Sequence, residues 1–325
     1  MRRILLTFLK VALSAGLLYL ALRKTDFVAL GQRLTWASIG WILLALAVCL
    51  VQVVISAARW HLVSVACDAP IPTRQAARYN LIGSFFNQTL PSSIGGDAVR
   101  LWLLARTGVG WRAATYSIFI DRAIGLIALA VLIVASLPWS YGLIADPAGR
   151  TALLIVDALA LGAGMGFLII GWLPWSFLKT WWVTHHIHAC SVIASRLIFS
   201  PSKGPAIAVL SALIHVTAIV VAWCVIRAIE APVSFGQIFQ LIPPVVLITM
   251  LPISMAGWGL REATMGLAFG YAGLAAHEGV NVSLLYGGVY FIIGVIGGLV
   301  WIVSAEKAAK GASPIEVPDE VAAVQ

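Results

Sequence analysis

Charged residues are scarce in this chain. Asp, Glu, Lys and Arg make up only 10% of its 325 residues, whereas hydrophobic residues make up 61%. Soluble proteins carry about 25% charged residues, so a water-exposed globular surface is excluded. The mean hydropathy of +0.98 and the long apolar runs indicate that lipid is the natural solvent of this protein.

Cysteine is also rare, and its spacing excludes further classes of protein. The four cysteines are isolated from one another, at Cys49, Cys67, Cys190 and Cys224. Because there is no Cys-x-x-Cys pair, neither a zinc site nor a disulfide framework is indicated. The P-loop, Gly-x-Ser-x-Gly and His-Glu-x-x-His patterns are missing as well. We therefore predict no catalytic residue, no metal site and no cofactor.

The net charge of +8 lies mainly between the apolar runs. That distribution follows the positive-inside rule of membrane proteins, so nucleic acid is not predicted as a partner. If the N-terminus lies in the cytoplasm, most of the Lys and Arg residues between the apolar runs lie on the cytoplasmic side. We therefore predict that both termini are cytoplasmic.

The apolar runs show none of the alternation of outer-membrane strands, so all are predicted as helices. Six are long enough to cross the bilayer, at 4–22, 38–58, 114–137, 151–172, 205–228 and 283–304. The predicted fold is an all-α polytopic membrane protein. One domain occupies residues 1–305, with halves at about 1–137 and 151–304, and a disordered cytoplasmic tail follows at 306–325.

Two further apolar regions, 75–106 and 236–275, are interrupted by Pro and Gly residues near the middle. Pro removes a backbone donor, and Gly loosens a helix. We predict that each region forms a re-entrant hairpin of two half-helices, which gives an eight-segment core. Irregular backbone of this kind is stable at membrane depth only where protein or a wet cavity shields it.

The two interrupted regions share the pattern Leu-Pro-x-Ser-x-x-Gly-x-x-x-Arg, which begins at Leu90 and again at Leu251. Pro and Arg are scarce in apolar segments, so a repeat is favoured over coincidence. Three predicted spans separate the copies, and the second copy would therefore enter from the opposite face of the membrane. Transporters use such inverted repeats to place broken helices around a midplane site.

Ionisable residues at membrane depth mark the candidate site, because a charge at the bilayer centre costs at least about 2.5–3.5 kcal/mol. Planar Arg donors suit a phosphate head group. We predict that Arg100 pairs with Asp121 or Glu262, and Arg261 with Asp97. The predicted substrate-binding residues are Asn87, Ser93, Gly95, Gly96, Asp97, Arg100, Asp121, Arg122, Ser254, Gly257, Arg261 and Glu262. A structural ion-pair network is the alternative, and for the lone Asp157 packing and function both remain open.

The Gly-Gly-Asp-x-x-Arg run from Gly95 to Arg100 resembles a signature of the transmembrane domain of lysylphosphatidylglycerol synthases. It also resembles that of related stand-alone flippase-like proteins, including hopanoid-associated ones. Asp121-Arg122 is similar to the acid–Arg pair of this family, in which Glu is more usual, and the run ending at Glu262 resembles a second signature. The resemblance covers nearly the whole chain and implies lipid translocation by a core with two re-entrant segments.

The resulting prediction is a lipid flippase or transporter of the bacterial inner membrane that moves or binds an anionic phospholipid or an isoprenoid-linked head group. The synthases carry a separate soluble domain that makes the lipid, and residues 306–325 are too few for one, so an enzyme is not expected. Expected partners are membrane lipid and enzymes of envelope-lipid biosynthesis. The alternatives are a membrane-embedded lipid-modifying transferase and a non-catalytic accessory subunit of an envelope-lipid pathway.

Overall fold

The computed structural model describes residues 15–16, 18–20, 22, 27–90, 94–173, 181–250, 254 and 256–304. Every regular element in these ranges is helical, which confirms the predicted all-α class. The helices are α1 (Phe27–Arg33), α2 (Trp36–Ala66), α3 (Thr73–Thr89), α4 (Gly95–Leu104), α5 (Trp111–Leu143), α6 (Pro147–Ile170), α7 (Trp182–Ile198), α8 (Gly204–Ala228), α9 (Phe235–Thr249), α10 (Leu260–Tyr271) and α11 (Ala276–Val303). The predicted tail at 306–325 and most of the predicted span at 4–22 lie outside the described residues.

Five helices of the described part are long and apolar enough to cross a membrane, namely α2, α5, α6, α8 and α11. They coincide with five of the six predicted spans. The shortest of them, α6, has 24 residues. At the rise of an α-helix it extends about 36 Å, which exceeds a hydrocarbon core of about 30 Å. The chain is therefore a multi-pass membrane protein.

The start of α6 shows how local sequence sets a helix boundary. The carboxylate of Asp146 accepts hydrogen bonds from the backbone N–H groups of Ala148 at 2.7 Å and Gly149 at 3.1 Å. Pro147 occupies the first helical position, where its missing N–H leaves no partner unsatisfied. A polar cap directly before an apolar run therefore defines where this span begins.

Both interrupted regions form paired half-helices, as predicted. In the first hairpin α3 packs against α4, and in the second α9 packs against α10. The longest of these four helices, α3, has 17 residues, or about 26 Å, which is less than the thickness of the hydrocarbon core. The spanning helices α5, α6 and α8 lie between the two hairpins in sequence. The inverted relation between the copies stays a prediction.

Helix α11 packs against both hairpins, through α3 and α10, and its glycines allow a close approach. A Cβ added at Gly297 would lie 1.8 Å from the carbonyl oxygen of Leu81 in α3. One added at Gly279 would lie 2.5 Å from the carbonyl oxygen of Met265 in α10. Small residues let helix backbones come together in a membrane, where the hydrophobic effect does not drive their association.

We expect Gly297→Ala to lower the thermal unfolding midpoint of the purified protein in detergent. The added methyl group must displace backbone of α3, and overpacking of this kind costs about 1–3 kcal/mol. Gly288→Ala is the matched control, because no atom lies within 4 Å of a Cβ at Gly288. The four cysteines are all buried, so a thiol-reactive dye reports the midpoint. Equal midpoints for the two variants would contradict this account of α11 packing.

Candidate functional site

Two glycines at the start of α4 bring the first hairpin together. A Cβ at Gly96 would lie 2.2 Å from the carbonyl oxygen of Gly83 in α3, so only glycine fits there. The Gly96 N–H donates to Oδ1 of Asn87 at 2.8 Å. A Cβ at Gly95 would also be crowded, with a contact of 2.8 Å to Leu90. The glycine pair therefore anchors the first turn of α4, which carries Asp97.

A continuous series of charge pairs connects α2, α4 and α5. Asp97 accepts hydrogen bonds from Nε and Nη2 of Arg122, at 2.6 and 2.8 Å, and from Nη1 of Arg100 at 3.0 Å. Asp121 accepts from Nε of Arg59 at 2.9 Å and from Nη2 of Arg100 at 3.5 Å. Arg100 therefore binds both carboxylates. We call these five residues the first charge network.

The first charge network has an excess of one positive charge, because three arginines surround two carboxylates. The side chains of Arg59 and Arg100 are each only 7% exposed, whereas that of Arg122 is 41% exposed. The hydrogen bonds of Arg122 to described residues use Nε and Nη2 and leave Nη1 available. The excess charge therefore reaches the protein surface at Arg122.

Aromatic and hydroxyl groups hold the two buried arginines of this network. The Arg100 guanidinium lies 4.1 Å from the ring centre of Trp60, and the Trp60 indole donates to Ser117 at 2.9 Å. Arg59 donates from Nη1 to Ser211 at 3.3 Å. Contact with an aromatic face stabilises a cation that has left water. These contacts fix Arg59 and Arg100, whereas Arg122 keeps an open side.

The second hairpin carries a separate charge pair. The Glu262 carboxylate is fully buried and accepts hydrogen bonds from the Gly259 N–H at 2.6 Å, Arg261 Nη2 at 2.8 Å and the Ser283 hydroxyl at 2.9 Å. Gly259 has a φ of 81°, a conformation that favours glycine. We call Arg261, Glu262 and Ser283 the second charge cluster. Its formal charges balance.

The predicted pairing of the charges across the hairpins is partly wrong. Arg100 pairs with Asp121, as one of the predicted alternatives had it, and not with Glu262. The predicted pair of Arg261 and Asp97 is not formed either. Arg261 binds its own neighbour Glu262, because its long side chain folds back to a carboxylate that caps the same helix start. Asp97 is already occupied by two other arginines.

The two breaks nevertheless touch through a tryptophan. The indole Nε1 of Trp258 donates to Oε1 of Gln88 at 3.3 Å, and the Arg261 guanidinium lies 4.8 Å from the ring centre of Trp258. Gln88 follows Asn87, which binds the start of α4. A series of direct contacts therefore runs from one break to the other, although no ion pair between described residues joins the two sets of charges.

The remaining predicted site residues have simpler outcomes. Ser254 lies next to the second break, and its buried hydroxyl has no hydrogen-bond partner among the described residues. Gly257 has a φ of 79° and supports the turn before α10. Ser93 lies outside the described residues. A cavity at the start of α2, lined by Leu34 and Trp36 among others, contains none of the predicted site residues.

A family model described as lysylphosphatidylglycerol synthase TM region matches residues 7–298. This chain belongs to the lysylphosphatidylglycerol synthase transmembrane-region family. No curated protein and no solved structure matches it significantly. The family match confirms the resemblance inferred from the run between Gly95 and Arg100. Two residues of that run, Asp97 and Arg100, belong to the first charge network.

Three contributors to the site of this family member were missed by sequence reasoning. Arg59 lies directly after the predicted span at 38–58, but α2 continues to Ala66 and Arg59 is buried within it. Ser283 and Trp258 are common residue types in an apolar chain and carried no separate signal. The one sequence feature that could have indicated a buried Arg59 is its place at the end of an apolar run, next to Trp60.

Three histidines, His185, His186 and His188, lie on the short helix α7. His186 is hydrogen-bonded to the Tyr116 hydroxyl and lies edge-on to Trp182. Burial, followed by the positive charge of Arg112, lowers the pKa of His186 below its usual value. The described part of the chain contains no group of three His, Cys, Asp or Glu side chains placed to hold a metal ion.

Proposed function

We propose that the first charge network binds the anionic head group of a membrane lipid at Arg122, and that the protein moves this lipid across the bilayer. The observation that carries the proposal is the single excess positive charge, which reaches the surface only through Arg122. An acceptor with one net negative charge would neutralise the network. A lipid phosphate supplies that charge together with several oxygen acceptors.

The position of Arg122 supports a lipid over a ligand from water. Arg122 is the twelfth residue of the spanning helix α5, about 17 Å along its axis from Trp111. A guanidinium that is neither fully buried nor fully paired at this depth requires a polar neighbour, because hydrocarbon offers no acceptor. The head group of a lipid supplies this polar neighbour, and its tails can stay in the bilayer.

The second charge cluster supports the assignment by contrast. Its one arginine and one carboxylate balance, and the Glu262 oxygens are shared between Arg261, Ser283 and a backbone N–H. No unbalanced charge is left for a ligand. We infer that the second cluster shapes the hairpin next to α11, and that the head group binds at the first network.

The proposal is tested with Arg122→Gln. This variant leaves Arg59 and Arg100 paired with Asp97 and Asp121, so the network becomes neutral and the fold is retained. We expect the affinity for phosphatidylglycerol to fall by about tenfold to a hundredfold, which corresponds to loss of one charge-assisted hydrogen bond. Native mass spectrometry in mild detergent measures binding, and dithionite quenching of a fluorescent phosphatidylglycerol in vesicles measures translocation.

Arg150→Gln is the matched control. Arg150 donates to the Ile144 carbonyl at 2.7 Å and lies over Tyr141, away from the network, so its loss leaves the excess charge in place. Phosphatidylcholine, which has no net charge, serves as the control lipid. If Arg122→Gln binds and moves phosphatidylglycerol as well as the wild type does, the network is structural and the proposal fails.

The proposal places the protein in the bacterial inner membrane with both termini in the cytoplasm. It needs no chemical step at the site. The two aspartates neutralise two of the three arginine charges of the network, and the remaining positive charge binds an anion. Enzymes that make or use the bound lipid are the partners that such a protein would serve.

A further inference from the structure

Asp157 is a buried carboxyl in the middle of a spanning helix. It is the eleventh of the 24 residues of α6, which places it about 15 Å from the start of the helix and about 20 Å from its end. Its exposed fraction is 4%. The residue therefore lies near the centre of the bilayer, and the head-group site proposed above does not include it.

Neither oxygen of Asp157 has a hydrogen-bond partner among the described residues. By contrast, each of the other buried acids of the described chain forms an ion pair with an arginine. These acids are Asp97, Asp121, Glu262 and Glu278. An ionised carboxylate without a cation or donor is strongly disfavoured in an apolar medium, and such a group takes up a proton instead.

The helices packed against α6 are α5, α7 and α9, and Tyr271 of α10 lies against Gly149, about 12 Å before Asp157 along the helix axis. None of these helices presents a charge at the level of Asp157. Between Arg122 and Tyr141, α5 has no titratable side chain, and α9 has none at all. Helix α7 contacts the far end of α6, where Gly171 lies against Ser191. That contact is about 20 Å from Asp157 along the α6 axis.

The surroundings of Asp157 are apolar. Leu153, one turn earlier on α6, packs with Leu129, Ile133 and Ile144 in one hydrophobic cluster. Gly164, two turns later, lies against Ile127 of α5, so the face of α6 that carries Asp157 is the face turned towards α5. A neutral carboxyl fits this setting, and a separation of α6 from α5 would admit water to it.

We propose that Asp157 is a proton-binding site at the centre of the membrane, which holds a proton in the packed arrangement and releases it when α6 moves away from α5. On release the carboxyl O–H bond breaks, the proton passes to water, and a carboxylate remains. The site would link movement of the helices to a proton gradient. This inference goes beyond the proposed head-group binding and uses none of its residues.

Infrared spectroscopy of the full chain in vesicles, with carbon-13-labelled aspartate, tests the site directly. We expect the C=O stretch of a protonated aspartic acid in an apolar environment at neutral pH, and its loss in Asp157→Asn. Asp146→Asn is the control, because Asp146 lies at the exposed start of the same helix and Asn also caps helices well. Absence of the band, or its persistence in Asp157→Asn, would overturn the proposal.

Coupling is tested by imposing a proton gradient on the same vesicles. One proton moved per lipid allows one pH unit to support about a tenfold unequal distribution of phosphatidylglycerol between the leaflets. We expect this asymmetry in the wild type and in Asp146→Asn, and equal distribution in Asp157→Asn. If the wild type moves lipid but ignores the gradient, coupling is refuted. If it moves no lipid, the proposed function fails while the infrared band still decides on the proton site.

Discussion

Replacing Asp121 by alanine is expected to lower the stability of the protein by about 3–5 kcal/mol, enough to prevent folded material from accumulating. Asp121 is 2% exposed. Its carboxylate binds Arg59 at 2.9 Å and Arg100 at 3.5 Å. Without it Arg59 keeps only its bonds to Ser211 and to the carbonyl of residue 121, and a guanidinium is left in the protein interior without a counter-ion.

The double variant Arg59→Met, Asp121→Leu separates loss of charge balance from loss of packing. It removes one charge of each sign, so Arg100, Arg122 and Asp97 keep the net charge of the network unchanged. Replacing a buried ion pair by apolar residues of similar volume is often neutral or stabilising. We expect the thermal midpoint to return close to that of the wild type. A stable single variant would show that the carboxylate is not needed to balance Arg59.

The second large effect is expected at Glu262, where alanine should also cost about 3–5 kcal/mol. Its carboxylate is fully buried and is the shared acceptor for Arg261, Ser283 and the N–H of Gly259. Removing it therefore unpairs a buried guanidinium and also removes the cap of α10. Because α10 packs on α11, the loss extends to the contact between the second hairpin and the core.

Glu278→Ala is the matched control for Glu262→Ala. Glu278 also pairs with an arginine, at 2.8 Å, but the side chain of its partner Arg33 is 28% exposed. Water can reach that guanidinium, so the loss of this pair costs less than the loss of a pair that is fully buried. We expect a small change at Glu278 and a large one at Glu262, measured by detergent unfolding with the buried cysteines as reporters. Comparable losses at both positions would contradict the burial argument.

The two hairpins share a sequence pattern, but their electrostatics differ. In the first, Arg100 is bound by two aspartates and belongs to a network with excess positive charge. In the second, the carboxylate of the adjacent Glu262 is the one acid that pairs with Arg261 among the described residues, and the Ser283 hydroxyl accepts a further hydrogen bond from Arg261. The same spacing of Pro, Ser, Gly and Arg therefore supports two different environments. Residues outside the repeated pattern, Arg122 above all, decide which of them carries the unbalanced charge.

The residues that pair inside the membrane were partly predictable. Asp121 and Arg122 are adjacent in α5, and adjacent side chains of a helix point in different directions. Partners on other helices are therefore expected. Asp121 pairs with Arg59 of α2, and Arg122 pairs with Asp97 of α4. The partner Arg59 was not predicted, because hydropathy ends the span at the first charged residue even where the helix continues and buries that residue. The Arg261 pair was not predicted, because the reach of a side chain depends on backbone turns at Gly257 and Gly259.

Sequence alone determined that the chain is an all-α membrane protein, where five of its spans lie and where its two hairpins break, because hydropathy, helix length and the chemistry of Pro and Gly act locally. It also picked out most of the buried charges, since a charge in lipid is too costly to be incidental. Only the tertiary structure decided how those charges pair, that Arg122 and not Arg100 is the open one, and that Asp157 has no hydrogen-bond partner among the described residues. Pairing and exposure depend on which helices pack together, and that is a property of the whole fold.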